Sequence, residues 1–155
     1  MFVIKLIFLL TISSTVAFTT VYTENSSENN AIAIDRIDFS ELDIESLIEQ
    51  AGEEQKLIFA SFYTTWCAPC QMMKLRTYRN RNAGEFFNEH FLSLQINGDK
   101  GEGIEIASRY GVKSFPTLVF LKPDGTLFYK TSGFHNAEEL LEVAQEVIQI
   151  YSLIK

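Results

Sequence analysis

The chain has two cysteines, Cys67 and Cys70, set three residues apart in Trp66-Cys67-Ala68-Pro69-Cys70. Thiols at this spacing can close a short disulfide, supply half of a metal site, or cycle between dithiol and disulfide. The flanking sequence favours the last. An apolar, aromatic-rich run, Leu57-Ile58-Phe59-Ala60-Ser61-Phe62-Tyr63, has the length of one buried strand. Good helix formers follow the motif, Gln71-Met72-Met73-Lys74-Leu75. Strand, C-x-x-C, helix is the context of a redox dithiol. At a helix N-terminus, unpaired N–H groups and the macrodipole favour the thiolate of Cys67, which is the nucleophilic form. Cys70 falls one turn later, and Pro69 occupies the first turn, where a missing N–H is harmless.

The competing chemistries fit less well. A disulfide closing so short a loop constrains the unfolded chain little. Zinc would need His90 and His135 as further ligands, and neither lies at metal spacing from a second one. Covalent haem attachment needs His after the second cysteine, where Gln71 stands. No metal and no cofactor is therefore expected.

The elements that must position the pair read as an alternation. A helix capped by Ser40 and ending near Gly52 carries Leu42, Ile44, Leu47 and Ile48 at helical spacing. The strand over residues 56–63 leads into the motif, and its helix runs towards Asn80. Residues 91–96 form a second strand, and 103–110 a short helix ended by Gly111. Strands over 117–121 and 126–131 pair as a hairpin through Lys122-Pro123-Asp124-Gly125. A last helix over 136–151 places Leu140, Leu141, Ala144, Val147 and Ile148 on one face. Phe86, Phe87 and Phe91 read as core. The glycines between Gly98 and Gly103 lack the Lys-Ser/Thr ending of a phosphate loop and read as a turn.

With 155 residues and 46% hydrophobic content, the chain can build one core but not two. Its 13 basic against 20 acidic residues, a net charge of −7, argue against nucleic acid or an anionic membrane as partner. Residues 1–17 read as a signal peptide: Lys5, an apolar run from Leu6 to Leu10 that fades into Ser and Thr, then the short side chains Thr15 and Ala17 at the two cleavage subsites. The run is shorter than the ~20 residues of a spanning helix, although an uncleaved anchor is the alternative. Residues 18–37 read as a flexible polar segment and 38–155 as the folded domain. Asn25-Ser26-Ser27 is a glycosylation sequon, relevant only in a eukaryotic host.

Four blocks carry a resemblance to the thioredoxin superfamily over roughly residues 39–150. They are Trp66-Cys67-Ala68-Pro69-Cys70, Tyr110-Gly111-Val112, Ser114-Phe115-Pro116-Thr117-Leu118 and Pro123-Asp124-Gly125. The resemblance implies an α/β thioredoxin fold, with a central mixed β-sheet flanked by helices. It further implies that Pro116 is cis and faces the dithiol, leaving the Phe115 backbone to pair with an extended substrate. On this basis Cys67 (nucleophile) and Cys70 (resolving) are the expected catalytic residues, with Trp66, Ala68, Pro69, Phe115 and Pro116 expected at the substrate. Trp66 would shield the dithiol, with plain core packing as its alternative role.

Two departures stand out. The family's buried Asp, six residues before the first cysteine, is replaced by Ser61, and its nearby Lys aligns with Gln95. Cys70 is thus left without an evident proton acceptor. The expected function is thiol–disulfide exchange that reduces disulfides of exported proteins. A disulfide oxidase or isomerase of the same fold and a non-enzymatic binding module are the alternatives. The resemblance is strongest to exported bacterial thioredoxin-like proteins. It implies a periplasmic or secreted monomer, protein disulfides or dithiols as substrates, and a membrane-embedded thiol donor.

Overall fold

Six of the seven residues of Leu57–Tyr63 are buried, so this strand, β1, must be covered on both faces. In the computed structural model, which describes residues 35–155, it is an inner strand of a four-stranded sheet. The order is β2-β1-β3-β4, with β2 Phe91–Asn97, β3 Thr117–Leu121 and β4 Leu127–Ser132. β2 runs parallel to β1, pairing Ser61 with Gln95, whereas β3 is antiparallel to β1 and β4 to β3. The sheet is mixed, as expected.

Alternation along β1 sends residues to two cores. Ile58, Ala60 and Phe62 pack with Ile44, Leu47 and Ala51 of α1 (Ile44–Glu54) and with Ile106 and Ala107 of α4 (Gly103–Arg109). Leu57 and Phe59 pack on the other side with Met73, Phe87, Phe91, Leu118, Phe120 and Leu140. That side is covered by α3 (Arg81–His90) and α5 (Ala137–Ile154). Phe59, Phe87, Phe91 and Phe120 form a ring cluster with centroids 4.7–5.4 Å apart for successive neighbours. α5 opens on a capping box, Asn136 with Glu139.

Several boundaries differ from the sequence reading. α1 is capped by Asp43, whose carboxylate accepts the Ser46 N–H at 2.8 Å; Ser40 instead accepts the Leu42 N–H at 3.1 Å in a turn upstream. The helix passes Gly52 and stops at Gln55, which adopts a left-handed conformation. The helix after Cys67 does not run to Asn80 as one piece. α2 covers Ala68–Met72, and a π turn, Met73–Thr77, follows. Asn80 then caps α3, an element for which the sequence reading has no counterpart. The π turn advances the chain one extra residue, so that Met73, Thr77 and Tyr78 all face inward.

Arg36 to Ser40 lie as a strap across α3 and β2. Ile37 is buried and its N–H donates to the Tyr78 carbonyl at 2.8 Å, while Phe39 bridges Ser93. Arg36 and Ile37, at the end of the stretch read as a tether, are thus held to the domain. Residues 1–17, read as a signal peptide, and the rest of the tether up to residue 34 lie outside the described residues. Among the described residues no helix is long and apolar enough to cross a membrane.

Candidate redox site

β1 ends at Tyr63, and the motif occupies the turn that begins α2. Cys67 is the N-cap of that helix, with extended backbone angles, and its N–H donates to the Thr64 carbonyl at 3.4 Å. Its Sγ accepts the Cys70 N–H at 3.3 Å, one of the N–H groups a helix start leaves unpaired. Pro69 falls in the first turn. Cys67 and Cys70 are joined as a disulfide, with Cα atoms 5.3 Å apart. Both are largely buried, at 4% and 5% exposure, while Ala68 and Pro69 between them are exposed.

Trp66 is 72% exposed, so core packing does not explain it. Its indole Nε1 donates to Asp99 Oδ2 at 2.7 Å, and its ring meets Phe115 edge-on at 6.4 Å. Asp99 follows β2 in a tight loop, closed by Gly103 N–H to the Lys100 carbonyl and by Gly101 at positive φ. Gly98 lies directly beneath Phe115: a Cβ added there would fall on the ring. The loop after β2 thus touches both aromatic side chains, Trp66 through Asp99 and Phe115 through Gly98. Nothing in the sequence pairs residues 33 positions apart, and Asp99, Gly98 and Tyr78 were not foreseen as site residues.

The Phe115–Pro116 peptide bond is cis. Phe115 is half-buried and Pro116 buried, at the start of β3. The Pro116 carbonyl accepts from the Gly133 N–H, and the Ser114 carbonyl from the Thr117 hydroxyl. The N–H and C=O of Phe115 have no hydrogen-bond partner among the described residues.

On β1, Ser61 is buried at 1% exposure and its Oγ lies 2.7 Å from the Tyr78 hydroxyl. Burial pushes the Tyr78 phenol well above its ordinary range, with the Ser61 bond opposing. It therefore stays protonated near neutral pH. At the positions where the family carries an acid and a lysine, this chain has Ser61, bonded to Tyr78, and Gln95, its register partner on β2. Within the described residues, no group of three His, Cys, Asp or Glu side chains is placed to hold a metal ion. His135 precedes the cap of α5, with Nδ1 2.9 Å from the Gly133 carbonyl.

Residues 44–148 match the model of a thioredoxin-like domain. The chain belongs to this thioredoxin-like family. It is 35% identical to thioredoxin-1 of Drosophila melanogaster over 97 residues, 63% of this chain and 80% of that protein. The solution structure of a Bacteroides thetaiotaomicron protein proposed to be a disulphide-isomerase is 35% identical, with a TM-score of 0.65. It covers 74% of this chain and 94% of its own. The thiol:disulfide interchange protein DsbD of Pseudomonas fluorescens matches at 24% over 88 residues, 56% of this chain but 15% of that protein. With its intact C-x-x-C at a helix start, this thioredoxin-like protein is a thiol–disulfide oxidoreductase.

Proposed function

We propose that this protein reduces disulfides in exported proteins, with Cys67 as nucleophile and Cys70 as resolving thiol. The observation that carries the assignment of roles is the capping geometry. Cys67 occupies the N-cap, where the Cys70 N–H and the helix dipole favour negative charge on sulfur. Reduced Cys67 thiolate attacks one sulfur of a substrate disulfide; that bond breaks, a Cys67–substrate disulfide forms, and the departing sulfur takes up a proton. Cys70 then loses its proton and attacks Cys67 Sγ. The intramolecular disulfide forms, the second substrate thiol leaves, and two electrons have passed to the substrate. The closed Cys67–Cys70 pair corresponds to the end of this cycle.

Trp66, Ala68, Pro69, Phe115 and Pro116 form the substrate surface in this proposal. Two exposed residues between the sulfurs, an exposed indole and an unpaired Phe115 N–H and C=O support it: an extended segment can add one donor and one acceptor there. In this proposal the Cys70 proton passes to water or to a group other than Ser61 and Tyr78, which carry no charge near neutral pH. Export rests on the Lys5-to-Ala17 pattern, and a membrane-embedded thiol donor, like a monomeric state, on the family resemblance.

Direction is tested by equilibrating the protein with a series of glutathione buffers. A potential more negative than the glutathione couple supports the reductant. A more positive one would move the function to oxidase or isomerase, the reading favoured by likeness to the Bacteroides protein. Insulin reduction driven by dithiothreitol tests exchange itself: no acceleration by folded protein would leave a binding module. N-terminal sequencing tests export, which predicts a chain beginning near Phe18.

A further inference from the structure

In a chain of net charge −7, no acidic residue lies between Glu54 and Glu85, and Lys74, Arg76, Arg79 and Arg81 follow the dithiol closely. Arg81 pairs with Glu85 at 3.3 Å; Lys74, Arg76 and Arg79 make no ion pair among the described residues. Met72, Leu75, Arg76 and Arg79 are all exposed, along the end of α2, the π turn and the turn after it, while Cys70, Met73, Thr77 and Tyr78 on the same stretch are buried. Met72 is 45% and Leu75 61% exposed. An apolar pair flanked by guanidinium groups thus starts two residues after Cys70.

Local structure explains only part of this. Cations at a helix C-terminus offset its dipole, which gives a reason for charge near Arg76. It gives none for two exposed apolar side chains among the cations, nor for Arg79, which lies beyond the helix end in the turn before α3. Arg and Met are the side chains that protein-binding surfaces enrich, and guanidinium matches carboxylate in a paired geometry. Arg36, Lys74 and Arg79 also line an open cavity of about 250 Å³ beside the strap; Asp38 and Glu41 line it too, and neither pairs with these cations.

We propose that Met72, Leu75, Arg76 and Arg79 form a docking face that selects protein substrates carrying acidic residues, with an apolar neighbour, beside the disulfide. This deepens the proposed function and rests on it. The apolar pair supplies burial, and the arginines supply charge complementarity and a faster encounter. The exchange is unchanged: substrate disulfide plus Cys67/Cys70 dithiol gives substrate dithiol plus Cys67–Cys70 disulfide.

The test uses purified protein, reduced and then freed of dithiothreitol, in single-turnover reactions. The probes are two cystine-bridged peptides identical except for flanking Asp-Leu-Glu or Lys-Leu-Lys, with neutral hydroxyethyl disulfide as reference. Each peptide rate is divided by the same protein's rate on the reference. The acidic peptide is expected to react about tenfold faster than the basic one at low salt, with the advantage shrinking as salt rises. Arg76→Glu with Arg79→Glu should invert the order, and Arg76→Gln with Arg79→Gln should fall between. Equal rates, or a preference unaffected by salt or by these variants, would overturn the docking face alone. Failure of the reduced protein to reduce either peptide or hydroxyethyl disulfide would remove the reducing function and, with it, the docking face that rests on it. Capture by phosphatidylglycerol vesicles without an acidic-peptide preference would reassign the face to lipid and end the proposal.

Discussion

The Trp66 indole N–H donates to the Asp99 carboxylate across 2.7 Å, tying the residue before the first cysteine to the loop that follows β2. Together with the edge-on contact to Phe115, this bond fixes an aromatic side chain that is 72% exposed. Asp99→Ala should therefore act on substrate capture more than on the sulfur chemistry. KM for a peptide disulfide is expected to rise about two- to tenfold, the equivalent of ~0.5–1.5 kcal/mol for one hydrogen bond, with kcat nearly unchanged. A fall in kcat at constant KM would contradict this.

Phe115 sits over Gly98, which leaves room for the ring only because it lacks a Cβ. The backbone of Gly98 is not at positive φ, so alanine is allowed there and the ring must move instead. Gly98→Ala should leave the protein folded, raise KM for peptides and change Trp66 fluorescence, since the two rings meet edge-on. Unchanged fluorescence and KM would mean that the ring's position does not matter to substrate.

Cys67 and Cys70 should behave unequally. Cys70→Ser is expected to accumulate mixed disulfides with substrate, visible on non-reducing gels, whereas Cys67→Ser should trap none. In the reduced protein, alkylation at pH 6 should label Cys67 first. The reverse order would exchange their roles.

Tyr78 and Ser61 share a buried hydrogen bond of 2.7 Å. Tyr78→Phe leaves the Ser61 hydroxyl buried without its partner, a loss of ~1–3 kcal/mol measurable by urea unfolding. The pH dependence carries a second signature. Desolvation raises the native phenol above its ordinary value of 10.0. Below pH 10 both folded and unfolded chains keep this proton, and the group has no differential effect. Above it the unfolded chain releases the proton first, so native stability falls as pH rises, by up to about 1.4 kcal/mol per pH unit. Wild type should lose stability relative to Tyr78→Phe between pH 10 and 11. Parallel curves would show that the phenol is not buried as described.

The sequence by itself determined the strands, the redox motif at a helix start and the family. These follow from local rules: an apolar run of strand length, a C-x-x-C before helix formers, and a Pro-Asp-Gly turn between two short strands. It did not determine how the motif helix ends. Propensity cannot distinguish one helix over residues 68–80 from α2, a π turn and a newly capped α3. That choice is made by burying Met73 and Tyr78 against the Phe59 and Phe87 core while the buried Thr77 hydroxyl donates to the His135 carbonyl. The site's walls were likewise invisible. Asp99 reaches Trp66, Gly98 makes room for Phe115, and Tyr78 meets Ser61 only because parallel β1 and β2 end side by side and the π turn rotates Tyr78 inward. Local spacing encodes the reactive sulfurs; long-range packing decides what surrounds them.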